Sequence, residues 1–239
     1  MFSYDPTLAT IVQTPVHSIA DVLESMQEID ATCVDGDGLK WFDWLYFSVT
    51  KAVEGRIRGG VADAAWLTTL DVQFASFYFN ALRNSLSGLS CPGCWQVLFN
   101  GRDRPRVARI QFALAGINAH INHDLPQAIV ATCEDTATVP LHGTPQYADY
   151  TALNATLDSL IETAKQTLLV DLLGNALPAV SALEDMLAAW NVQAAREQAW
   201  TNAEVLWHLK ESVTLSAGFI NTLDGLTTVA GKSLLVQIA

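Results

Sequence analysis

Apolar residues recur three and four positions apart along almost the whole chain, and that spacing predicts helices. Ser18-Ile-Ala-Asp21 has a capping pattern and opens a helix that runs to about Cys33. Asp35-Gly-Asp-Gly38 reads as a turn, since the later ligands of a calcium loop are missing. A second helix, 39–58, carries Trp41, Trp44, Leu45, Val49 and Val53 at helical spacing, and Gly59-Gly60 stops it. A third, 63–86, is strongly aromatic, with Trp66, Phe74, Phe77, Tyr78 and Phe79. Residues 89–103 read as a loop with an apolar patch from Trp95 to Phe99. One apolar helix is expected over 106–130, then a Thr/Pro/Gly loop over 136–144 that contains His142. Further helices are expected over 146–174, 177–190 and from 194 to about 223. The tail, 233–238, fits either a strand or a packed end. No internal repeat, linker or composition break divides residues 1–239. The pattern predicts a single all-α domain, a bundle of about six to seven helices, with a buried metal site.

Composition narrows the class. Half of the 239 residues are hydrophobic and 16% are charged, so much of the chain must be buried. No run approaches eighteen uninterrupted apolar residues, which argues against a membrane span. The start, Met1-Phe-Ser-Tyr-Asp-Pro6, has no basic segment ahead of an apolar one, which argues against a secretory signal. A formal net charge of −12 repels nucleic acid and anionic membrane. Of the four cysteines, Cys91 and Cys94 have the spacing of a zinc knuckle or redox pair, but there is no second such pair. They read as plain loop cysteines, with a reversible disulfide as the alternative. Sparse cysteine usage fits a reducing cytoplasm, the expected location.

The chemistry concentrates in Gly116-Ile-Asn-Ala-His120-Ile-Asn-His123-Asp124-Leu-Pro126. A helix advances about 100° per residue, so His120 and Asp124 share a face and His123 lies at its edge. Neutral imidazole plus carboxylate suits zinc and non-heme iron, whereas a polar network or surface patch is the bland alternative. Ala113 and Gly116 precede His120 on the same stripe, and their small size predicts room for a ligand there. Pro126 deprives the Asn122 carbonyl of its helical partner, so a kink or helix end is expected. Other helices offer further donors. Asp71 stands among apolar residues and wants a partner. Asp149 lies in a helical first turn, where a carboxylate is favourable anyway. Glu204 and His208 are one turn apart, as a metal pair or a surface contact. No histidine follows an acid by three positions, which disfavours a ferritin-like bundle. Arg102, Arg104, Arg106 and Arg109 cluster at the start of the His-bearing helix, against its dipole. They read as an anion site, for instance for the phosphate of a carrier, or as a solvated loop.

Several stretches then resemble a bacterial helical family catalogued mainly as a domain of unknown function. They are Tyr46-Phe-Ser-Val-Thr50, Ile57-Arg-Gly-Gly60, Leu70-Asp71-Val72 with Phe74-Ala75 and Tyr78, and Asn118 to Pro126. Asp149-Tyr150 with Asn154, and Ala195-Arg196 with Ala199-Trp200, complete the set. The family is similar to, or includes, a non-heme diiron monooxygenase of platensimycin-type diterpenoid biosynthesis. The resemblance implies an all-helical fold, dinuclear iron, dioxygen, an external reductant and a lipophilic small-molecule substrate. It carries over Asp71, His120, His123, Asp124 and Asp149 as metal-site candidates. Phe74, Tyr78 and Gly116 would line the substrate pocket, and Arg104 and Arg106 would meet a carrier. A zinc or manganese hydrolase of phosphoesters and a non-enzymatic ligand-binding protein are the competing readings.

Overall fold

A computed structural model describes residues 2–170 and 191–237, and among these every regular element is helical. Two short entry helices, α1 (Asp5–Ile11) and α2 (Ile19–Thr32), lead into two long ones, α3 (Gly38–Arg58) and α4 (Ala64–Leu86). Then come α5 (Gly93–Gly101) and α6 (Arg109–Ala119). A π-helical turn (His120–Asp124) joins α6 to α7 (Leu125–Asp135). The rest is α8 (Pro145–Ala152), α9 (Asn154–Val170), α10 (Val192–Leu209) and α11 (Val213–Leu234). The helices are thus shorter and more numerous than the six to seven expected. The helix expected over 177–190 lies outside the described residues.

The α6–π–α7 rod is the axis of the molecule. Every residue from Ile110 to Ile121 is buried, and a helix that is apolar all round must sit inside. α3 and α11 pack along α6, while α4 and α10 pack along α7. Local signals fix several ends. Ser18 and Asp21 form the expected capping box on α2, and Asp37, Asp63, Asn191 and Ser212 cap α3, α4, α10 and α11.

Four boundaries differ from the expected ones, two of them through contacts distant in the chain. The patch from Trp95 to Phe99 is not a loop but the core of α5. Its first amides, Gly93 and Cys94, donate to Asp224 of α11 at 2.9 and 2.8 Å, so this cap comes from another helix. The His-bearing helix starts at Arg109, not 106, because Arg106 has a positive φ of 65°. Residues 146–174 break at Leu153. There Arg196 takes the Tyr150 carbonyl at 2.7 Å and the Asn154 side chain at 2.8 Å. The segment from 194 divides after Leu209, and the tail is a packed end. Gln111 donates to the carbonyls of Leu234 and Val236 at 2.7 and 2.8 Å. Cys91 and Cys94 are both free and buried, without a disulfide. No helix among the described residues is long and apolar enough to cross a membrane.

The loop containing His142 is tied to α10. His142 Nδ1 meets Glu204 at 2.6 Å and Nε2 meets Glu197 at 2.8 Å, so Glu204 pairs with His142. The Glu197 hydrogen bond, followed by Glu204, raises the imidazole pKa above its ordinary value. A raised folded-state pKa stabilises the fold below the ordinary histidine value and loses that effect as pH rises through the folded one. His142→Ala should therefore lower thermal stability at about pH 6 and barely at about pH 9. The loss should stay below about 1 kcal/mol for so exposed a group. Equal losses at both pH values would refute this role.

Candidate functional site

The rod carries Pro126 without ending. Leu125 donates its N–H to the His120 carbonyl, five residues back, and the helix widens into a π turn. This register change accommodates the proline's missing donor, so a widening replaces the expected kink or end. It also turns His120, His123 and Asp124 inward together, and all three are buried.

Asp124 sits between the two imidazoles. Its Oδ2 accepts from His120 Nδ1 at 3.0 Å and from the Trp95 indole at 2.9 Å. Its Oδ1 accepts from His123 Nδ1 at 2.7 Å. A carboxylate can only accept, so each histidine carries its proton on Nδ1. Burial opposes ionisation of Asp124, but the hydrogen bonds from His120 and His123 outweigh it and hold the pKa below the usual carboxylate value. Burial lowers the His120 pKa, which keeps that ring neutral. Asp124, expected as a metal ligand, orients both histidines through these hydrogen bonds.

The His120 ring is clamped in an aromatic box. Phe74 stacks on it, with centroids 3.4 Å apart and planes 4° from parallel. Tyr46 meets it edge-on at 4.4 Å, and Phe42 and Trp95 stand at 5.9 and 5.8 Å. Its Nε2 has no hydrogen-bond partner. Asp71 Oδ2, Asp43 Oδ2 and the Tyr46 hydroxyl are also buried and unpartnered. The Thr50 hydroxyl neighbours that of Tyr46, but neither completes a bond. Burial, then the charges of Asp71, Asp124 and Asp43, push the Tyr46 pKa well up, so these groups share one electrostatic neighbourhood. Asp43 accepts from the Tyr78 hydroxyl at 3.2 Å, and burial raises its pKa well above the carboxylate norm. Burial, with a smaller push from Glu54, raises Asp71 to about 7.

The other predicted site residues lie elsewhere. Asp149 does not join the histidines. Its two oxygens accept the amides of Ala62 and Asp63 at 2.9 and 2.6 Å, which clamps the turn before α4. Gly116 leaves no room for a ligand, because a Cβ there would overlap the Phe42 ring. The small residue serves packing instead. The arginines do not form one cluster. Arg102 is buried and paired with Asp5 and Asp37. Arg109 lies over Trp41, 4.2 Å from the ring centre. Arg104 and Arg106 are exposed. Among the candidate substrate contacts, Phe74 and Tyr78 do stand beside His120. Asp43 was missed, although an acid between Phe42 and Trp44 carries the same signal that singled out Asp71.

Fold and site together define an all-α protein built around a buried histidine–aspartate centre. The chain belongs to a family of unknown function, DUF5995, whose family model matches residues 19–237. No curated protein and no solved structure matches it.

Two expectations follow from the geometry. Gly116→Ala should destabilise the protein by about 1–3 kcal/mol through overpacking against Phe42. Adding Phe42→Ala should recover part of that loss, so the pair would be non-additive in a double-mutant cycle. Strict additivity would refute the contact. Asp71 has a raised folded pKa, so its ionisation costs stability as pH rises from about 4 through about 7. Metal-free Asp71→Asn should then melt higher than wild type at about pH 8, by at most roughly 4 kcal/mol. The gain should vanish near pH 4; a variant less stable at pH 8 would contradict the assignment.

Proposed function

We propose that the protein is a non-heme iron oxygenase that hydroxylates a hydrophobic small molecule. The observation that carries this reading is the unpartnered His120 Nε2, in one neighbourhood with unpartnered oxygens on Asp71, Asp43 and Tyr46. Leaving such groups unsatisfied in a core costs on the order of 1–3 kcal/mol each, and a cation would offset it. An imidazole nitrogen with carboxylate and phenol oxygens fits non-heme iron. His120 and Asp71 would hold the metal, with Asp43 and Tyr46 as further oxygen donors. A dinuclear centre, as the sequence resemblance implies, would draw its added carboxylate from Asp43 and not from Asp149.

Bound iron would supply the activation of dioxygen. The remaining work falls to side chains. Asp124 fixes the His120 tautomer and aims its lone pair. Phe74 holds the ring plane by stacking. Phe42, Tyr78 and Trp95 keep water from the centre and give it apolar walls. In the overall reaction one oxygen atom enters a C–H bond of the substrate and the other leaves as water. Two electrons come from an external reductant and two protons from solvent.

Elemental analysis of aerobically purified protein, prepared without chelators, tests the proposal. Wild type should contain iron, and His120→Ala and Asp71→Asn should each retain less than about half of it, as expected when a ligand is lost. His142→Ala should match wild type. Manganese, or zinc that is lost in His120→Ala and Asp71→Asn, in place of iron would favour the hydrolase alternative. Unchanged iron in both site variants would overturn the ligand assignment.

A further inference from the structure

His123 is not among the rings that pack around His120. Its ring, the Cys94 thiol and the Asp224 carboxylate come from the π turn, α5 and α11. Each offers a donor atom, and these atoms all lie within 4.8 Å of one another. We propose that Cys94, His123 and Asp224 form a second metal site, for a zinc-class divalent cation.

The ligand chemistry supports that class. Thiolate, imidazole and carboxylate together suit zinc, which takes four tetrahedral ligands at roughly 2.0–2.3 Å. Donors around such an ion stand roughly 3–4 Å apart, so little movement closes the triad. Three protein ligands leave a fourth position for water or a small ligand.

Each ligand is also held in place, as the ligands of metal sites usually are. Asp124 accepts from His123 Nδ1 at 2.7 Å, so Nε2 carries the lone pair, and a metal would replace the Gln127 amide that lies 3.4 Å from it. The amides of Gly93 and Cys94 fix Asp224 at 2.9 and 2.8 Å. Each carboxylate oxygen keeps a second lone pair for a cation. Gly93 makes this approach possible, since a Cβ there would lie 3.1 Å from Asp224 Oδ2 and 2.9 Å from Thr228 Oγ1. Cys94 and His123 are buried while Asp224 is only partly so, which gives the site a dry interior and one side toward solvent. A bound ion would pin α5 and α11 to the π turn. When it binds, the Cys94 proton passes to solvent and sulfur coordinates as thiolate. The site shares no ligand with the proposed iron centre, so it stands whether or not iron binds there.

Cobalt(II) reports on the site directly, because thiolate coordination gives a sulfur-to-cobalt charge-transfer band in the near ultraviolet. Chelator-stripped full-length protein should develop the band with one equivalent of cobalt, and zinc should abolish it by displacement. Cys94→Ser should remove the band while circular dichroism stays helical. His123→Ala and Asp224→Asn should weaken zinc binding at least about tenfold in chelator competition. Cys91→Ser and Asp71→Asn should keep the band. Wild type without the band, or Cys94→Ser binding zinc as wild type does, would overturn the site. The wild-type band decides the question even if a variant fails to fold. Protein that shows the band but lacks iron would refute the iron proposal and leave this one intact.

Discussion

The structure depends on keeping one charge in its core. Asp124 is buried and ionised, and three N–H groups, from His120, His123 and Trp95, converge on its two oxygens. An isolated carboxylate there would cost far more than the fold's net stability, so these donors are obligatory. The His120 and His123 contacts require both rings to turn toward Asp124, which the π turn allows. The Trp95 contact requires α5 to lie against the rod. α5 in turn takes its cap from Asp224, so the last helix is drawn into the same arrangement. One ionised group thus links α5, the axial rod and α11.

Elsewhere in the core, charged groups have partners. Arg102 meets Asp5 and Asp37, and Asp37 also accepts from the Tyr4 hydroxyl and the Leu39 amide. Arg196 is occupied by Asn154 and the Tyr150 carbonyl. Asp149 accepts two backbone amides. The indole nitrogens of Trp66 and Trp200 and the Thr132 hydroxyl are also unpartnered, but the group around Tyr46 differs in combining an imidazole nitrogen with carboxylate oxygens. A fold that satisfies Arg102, Arg196 and Asp149, yet leaves an imidazole nitrogen and two carboxylate oxygens unsatisfied in one neighbourhood, trades stability for a site. The aromatic box around His120 fits that reading, since stacking on Phe74 holds the ring without consuming its lone pair.

The positions of the histidines and Asp71 are legible in the sequence, because polar residues on apolar helical stripes stand out against their surroundings. Roles are less legible. Asp124 and Asp149 look alike as carboxylates on helices, yet one orients two rings and the other clamps a turn. What separates them is the identity of their hydrogen-bond donors, and those donors lie largely on other elements. Gly116 looks like an opening because sequence shows that a side chain is missing but not what fills the gap. Phe42, from α3, fills it. Cys94 stands out through its spacing to Cys91, while its metal-capable neighbours stand 29 and 130 residues further on.

The sequence by itself determined the all-helical class, the cap of α2 and the apolar character of the rod, because helical periodicity and capping act within one or two turns. It also marked Pro126 as a point of irregularity. Tertiary structure decided that this irregularity is a π turn and that residues 93–101 are helical. It decided too that residues 146–170 break at Leu153, and which polar groups share a site. Three of these outcomes involve a partner from a distant part of the chain: Asp224 for α5, Arg196 for the break, Trp95 for Asp124. Local sequence sets what a segment can form, and packing sets which hydrogen-bond partners it meets.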